Sequence, residues 1–240
     1  MAEAERRKRV AKKALRRDEN RVASAPPPKK IYSRLGPDLR PRSLRKYRAI
    51  LEAASRMFIA KGFGPTSMDA VAEASQVSKR TVYCHFENKH ALFTAVIQTL
   101  CAQIVPPSVD ELAIGDSRIE VVLESLGNQF LTGIYSPEQI ELFRTIVTDA
   151  RQFPELGDLM FDGPVKHSER VVAEYFRRQA AAGKIKVPTV ELAAAQFMGM
   201  LKTNLHVKLL MKPGFRATPK EIKRITKDSV DLFLNGARRR

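Results

Sequence analysis

The chain has 240 residues, enough for one or two compact domains with a sizeable core, and 44% of them are hydrophobic, which excludes wholesale disorder. Its 42 Lys and Arg outnumber 26 Asp and Glu, a net charge of +16 that points to a polyanionic partner, either nucleic acid or anionic lipid. Two cysteines, Cys84 and Cys101, are too few for a disulfide framework and lack metal-type CxxC spacing; reduced thiols in a soluble, cytoplasmic protein are expected.

The charge is unevenly placed. Residues 1–43 hold 14 basic and 5 acidic groups, residues 44–92 hold 8 and 4, and residues 93–240 hold 20 and 17, an excess that Arg238, Arg239 and Arg240 supply alone. Residues 1–22 permit a helix by composition but have almost no apolar face, and Ala25-Pro26-Pro27-Pro28 follows as an extended spacer. No apolar run follows the basic start, so a secretory signal is not expected, and no stretch approaches the roughly 20 apolar residues of a membrane span. Residues 1–42 read as a disordered basic tail. Two uses of it stand: an arm that tracks DNA phosphates or enters the minor groove, which is the favoured one, or an extension without a role.

From Ser43, an expected N-cap, the spacing of Leu44, Tyr47, Ile50, Leu51, Ala54, Met57 and Phe58 predicts a helix closed by Gly62. Thr66 is expected to cap a short second helix over 67–74, with Asp69 completing the box, and Ser78 a third to about Cys84. Asn88 caps a fourth, and residues 43–104 form a first domain. Two short helices joined by a turn of three or four residues make a helix-turn-helix by spacing alone. The second of them opens with Ser78, Lys79, Arg80 and Thr81, groups that reach phosphates and base edges when a helix end enters a major groove. Residues 105–240 are helical by pattern, with helices expected near 116–135, 137–152, 164–182, 190–211 and 219–237. No alternating strand pattern of useful length appears, and the fold class is all-α.

Residues 44–97 resemble the DNA-binding domain of the tetracycline-repressor (TetR/AcrR) family. Thr66-Ser67-Met68-Asp69-Ala70-Val71-Ala72-Glu73-Ala74 is similar to that family's second helix, and Val77-Ser78-Lys79-Arg80-Thr81-Val82-Tyr83-Cys84-His85-Phe86 to its recognition helix. Asn88-Lys89-His90-Ala91-Leu92-Phe93 is similar to the start of its fourth helix. Ala150-Arg151-Gln152-Phe153-Pro154-Glu155-Leu156 resembles the AefR-like C-terminal subgroup. Two departures stand out: Gln76 occupies the usual turn glycine, at a cost of about 1 kcal/mol if the backbone is left-handed, and Arg80 adds a long cation where base edges are read.

The resemblance implies phosphate contacts for Thr66, Lys79, Tyr83, His85 and Lys89 and base-edge contacts for Ser78, Arg80 and Thr81. It further implies a C-terminal helical domain that dimerises through its last two helices and binds a small apolar effector. Phe130, Phe143, Met160, Phe161, Tyr175, Phe176 and Phe197 are the candidate pocket residues, although such residues at helical spacing are more often plain core. A seam is expected from Ala193, Ala194, Ala195 and Gly199 with Leu205, Leu209, Ile222, Ile225, Val230, Leu232 and Phe233. Cys84, His85 and His90 lie on different faces, so no metal site is expected, and no cofactor. His167 and His206 are expected at the surface, with a polar handle in an apolar cavity as the alternative. No nucleophile elbow, Walker loop or paired-carboxylate motif supports an enzyme. The expected protein is a homodimeric regulator, most readily a repressor, on a pseudo-palindromic operator in double-stranded DNA. A ligand-independent architectural DNA-binding protein that relies on its basic arm is the alternative.

Overall fold

The computed structural model describes residues 41–102, 104–106, 108 and 118–237, which belong to one compact unit. Most of the expected tail lies outside the described residues. Among those described, every regular element is helical: α1 (Pro41–Lys61), α2 (Met68–Ala74), α3 (Lys79–His85), α4 (Lys89–Cys101), α5 (Ile119–Ile134), α6 (Pro137–Asp149), α7 (Pro154–Met160), a π-helical turn (Phe161–Val165), α8 (Lys166–Ala181), α9 (Val190–Met211) and α10 (Pro219–Ala237).

Caps set most of these boundaries. Ser67, Ser78, Asn88 and Ser136 each accept a backbone N–H three residues on, ordering the first turns of α2, α3, α4 and α6. Gly62 leaves α1 at φ 88°, where a side chain would be strained. Thr218 and Glu221 make the reciprocal box that opens α10. Three expectations need correcting. Pro41 and Arg42 are already helical, so Ser43 lies inside α1 and does not cap it. Ser67, not Thr66, caps α2, because the Thr66 hydroxyl is turned back to the Gly62 carbonyl at 2.8 Å. Residues 154–160, placed in none of the expected helices, form α7, with Pro154 as its first residue, where its missing N–H has no helical partner to lose.

The core of the first four helices centres on Ile50, Phe58, Phe63, Val71, Leu92 and Phe93, all fully buried. Phe63 and Phe93 meet edge to face at 5.2 Å and Phe58 and Phe93 at 4.9 Å. The second cluster joins α5, α8, α9 and α10. Phe233 stacks on Phe176 at 4.9 Å and meets Phe197 at 5.3 Å. α5 runs against α10 and α8 against α9, while α6 lies along α1 and so connects the two clusters.

α9 is broken at Thr203 (φ 48°, ψ −167°). The break is satisfied from several sides. Thr203 Oγ1 accepts the Leu205 N–H at 3.2 Å, Tyr135 donates to the Lys202 carbonyl at 2.6 Å, and Ser229 donates to the Met200 carbonyl at 3.4 Å. Arg144 on α6 then holds the end of the helix, donating to the carbonyls of Leu209 and Leu210 at 2.6 and 2.9 Å.

Candidate nucleic-acid interface

α2 and α3 are joined by a turn in which Gln76 takes φ 56°. The left-handed backbone expected at this position is present, carried by a residue other than glycine. Val82 and Phe86 bury one side of the α3 segment, and Tyr47 stacks on Phe86 at 5.1 Å, fixing α3 to α1. Ser78, Lys79, Arg80 and Tyr83 are left exposed on the other side, with Thr81 part-exposed beside them. Tyr83 is 52% exposed, an unusual position for so large a ring unless something covers it.

Several of these groups already have partners. Lys79 Nζ lies 2.5 Å from Asp69 Oδ2, an exposed ion pair that ties α3 to α2. That hydrogen bond, with the carboxylate's charge, raises the Lys79 pKa above 10.5 and keeps the ammonium charged. Ser78 Oγ both caps α3 and lies 2.9 Å from Thr81 Oγ1. His85 is part-buried edge-on to Tyr47 at 5.6 Å, and its pKa is lowered by burial and by Lys46, which favours the neutral ring.

Thr66 and Lys89 are both engaged within the α1–α2 turn. Thr66 is 2% exposed, so its hydroxyl shapes the α1–α2 turn and is not presented outward. Lys89 donates to the carbonyls of Phe63 and Gly64, both at 2.9 Å, with its ammonium 4.4 Å from the Phe63 ring centroid. Its pKa is lowered by burial and raised in part by Asp149. An ammonium has three protons, and the two carbonyls take two.

The candidate pocket residues do not converge. Phe130, Tyr175, Phe176 and Phe197 are interior to the second cluster, Met160 is buried on α7, Phe143 is half-buried, and Phe161 is 55% exposed on the π turn. His206, expected at the surface, is instead half-buried between Tyr135, stacked at 6.0 Å, and Phe143, edge-on at 5.6 Å. Among the described residues, no group of three His, Cys, Asp or Glu could hold a metal ion, and no helix is long and apolar enough to cross a membrane.

Two segments of the chain match two family models. Residues 50–96 match that of the bacterial regulatory proteins of the tetR family, and residues 121–236 that of the AefR-like transcriptional repressor C-terminal domain. The chain belongs to the TetR family of transcriptional regulators. Among TetR-family crystal structures, a transcriptional regulator from Mesorhizobium loti MAFF303099 superposes with a TM-score of 0.70 at 28% identity, over 83% of this chain and 100% of that one. The flavonoid-responsive regulator FrrA superposes with a TM-score of 0.67 at 25% identity, over 82% and 98%. The HTH-type regulator YhgD of Bacillus subtilis (strain 168) is 23% identical over 168 residues, 70% of this chain and 84% of YhgD. A shorter match, 36% identical over 89 residues and 37% of this chain, is to the HTH-type transcriptional activator FasR of Mycolicibacterium smegmatis (strain ATCC 700084 / mc(2)155).

Proposed function

We propose that this TetR-family protein is a cytoplasmic homodimeric repressor that inserts α3 into successive major grooves of a pseudo-palindromic operator and leaves it when a small apolar effector binds the helical body. The observation that carries the reading is α3 itself, which buries Val82 while Ser78, Lys79, Arg80 and Tyr83 face outward from one rigid helix. Arg80 is the base reader, its guanidinium suited to guanine O6 and N7 at roughly 1–3 kcal/mol of discrimination. Ser78 and Thr81 flank it at base edges, and Lys79, Tyr83 and His85 take phosphates. Lys89 has one ammonium proton left for a phosphate at the start of α4. The buried Thr66 contributes through the turn that it ties.

A dimer is supported by the outer faces of α9 and α10, where Leu192, Val207, Met211 and Leu232 are each more than half exposed. A groove of about 540 Å³ runs between the two helices past Met200, Thr203, Ile225 and Leu232. Of the residues expected at the seam, Ala193, Ala194, Leu205, Leu209, Ile222 and Val230 are buried within the chain, so the outward seam is Leu192, Gly199, Val207, Met211 and Leu232. Repression follows the description of the C-terminal profile, and a small organic effector follows the name of the flavonoid-responsive neighbour. The apolar core around Phe130, Tyr175, Phe176 and Phe197 is where an effector would have to open space; Phe143, Met160 and Phe161 lie outside that cluster.

Selection of duplexes from a random pool, followed by footprinting, tests the reading. Two protected half-sites about one helical turn, roughly 10 bp, apart are expected. Uniform protection of any duplex would replace it with the architectural reading, which the +16 charge favours. Arg80→Ala should relax one position of the selected site at a cost of about 1–3 kcal/mol. Leu232→Asp should convert the dimer to monomer in sedimentation, and a monomeric wild type would overturn the dimer.

A further inference from the structure

The corner between α6 and α7 takes no part in the reading above, yet it grips the DNA-reading helices at several points. Asp149, the last residue of α6, accepts the Phe63 N–H on Oδ2 at 2.6 Å. The Phe153 ring meets Phe63 edge-on at 5.1 Å and lies so close over Gly64 that an added Cβ there would stand 3.3 Å from it. Glu155 Oε1 lies 2.7 Å from His90 Nε2 on α4, and the His90 ring in turn packs on Phe63 at 4.8 Å.

All of these contacts converge on Phe63. That residue is wholly buried, its ring shared with Phe58 of α1 and Phe93 of α4, and its carbonyl is one of the two that hold Lys89. A force applied at Phe63 therefore reaches α1 and α4 together, and α3 follows α1 because the buried Phe86 that ends it stacks on Tyr47. A hydrogen bond to a carboxylate is short and roughly twice as strong as a neutral one. Asp149 also places its negative charge near Lys89.

We propose that the Asp149–Glu155 corner is a clasp that fixes the angle of the DNA-reading domain on the helical body, with Asp149 as its positioning residue. Removing the carboxylate leaves the Phe63 N–H without its acceptor and lets the reading domain sample several angles. Apparent operator affinity then falls by the fraction of molecules at the productive one. That last consequence rests on the proposed DNA reading; the angle itself does not.

The test is an intrachain distance in the full-length protein. Nitroxides are placed at Cys84, exposed on α3, and at Ala181→Cys, exposed at the end of α8, and the labelled protein is diluted with unlabelled chains. Cys101, half-buried and with its thiol pushed up to about 11 by burial, is replaced in every labelled protein (Cys101→Ser), so that only the two chosen sites carry spins. Pulsed dipolar spectroscopy should give one narrow distribution in wild type, a broad or shifted one in Asp149→Ala, and a narrow one again in Asp149→Asn, whose amide oxygen accepts the same N–H. Binding of a duplex selected by the wild type should weaken about tenfold in Asp149→Ala. An unmoved distribution in a folded Asp149→Ala protein overturns the clasp. If that variant loses its helical circular dichroism, Phe153→Leu is read the same way, and an unmoved distribution there overturns it. A distribution that broadens in a protein selecting no duplex supports the clasp and removes the DNA reading instead.

Discussion

Gln76 and Thr203 both hold left-handed backbone without being glycine, and they do so for different reasons. Gln76 (φ 56°) has only to reverse the chain between α2 and α3, and its side chain is exposed. Glycine adopts this backbone freely, so Gln76→Gly should stabilise the protein by about 1 kcal/mol in urea denaturation. Thr203 (φ 48°) has a further task, since its hydroxyl caps the second half of α9. His206, one turn on, is a further residue whose surroundings have a measurable consequence. Burial first, and Lys202 second, hold its pKa below the ordinary 6.5, so the unfolded chain takes up this proton at a higher pH than the folded one does. Its contribution to stability is therefore complete above pH 6.5 and is lost as the pH falls through that value towards the folded pKa. Between about pH 7 and about pH 5 the melting temperature of wild type should fall more steeply than that of His206→Gln, which cannot charge. Parallel curves would show that the ring is not buried as described.

At the level of helices, α5 packs on α10 at Gly127 with no room for a side chain. A Cβ there would stand 2.7 Å from Thr226 Cγ2 and 3.0 Å from Leu201 Cδ2, and neither neighbour has room, Thr226 and Leu201 both being fully buried. Gly127→Ala should cost about 1–3 kcal/mol of stability by chemical denaturation, as overpacking does in a close-packed core. The helices themselves were largely legible in the sequence. α9 and α10 have the bounds that the pattern predicts, and Ser78 and Asn88 cap where they should. The errors have a common origin. Pro154 fell outside the expected helices and Pro41 inside the expected tail because a proline is indifferent to whether it ends one segment or begins a helix, and only the neighbouring turns decide. Thr66 and Ser67 are adjacent and equally able to cap. The choice fell to Ser67 because the Gly62 carbonyl, freed at the end of α1, takes the Thr66 hydroxyl.

For the whole molecule, charge and shape divide the work. The N-terminal 43 residues hold 14 of the 42 basic groups, and they precede a reading domain whose own excess is modest. If the arm tracks phosphates, deleting residues 1–40 should weaken duplex binding and flatten its salt dependence, by roughly 0.9 in slope for each phosphate no longer neutralised. An unchanged slope would leave the arm without a role in binding. The helical body carries little net charge and offers its largest exposed apolar side chains mainly on α9 and α10, where a second copy is proposed to cover them.

The sequence by itself determined the all-α class, the helix-turn-helix and the outward chemistry of α3, because caps, periodicity and turn spacing are set by residues a few positions apart. Tertiary structure alone decided how each helix face is used. It turned Thr66 and Lys89 into the α1–α2 turn, drew Phe176 and Phe197 against Phe233, and left Leu192 and Leu232 outside. It also brought Asp149 to the Phe63 N–H across 86 residues of chain. No local pattern encodes such a contact, since it depends on where two independently formed helices come to rest.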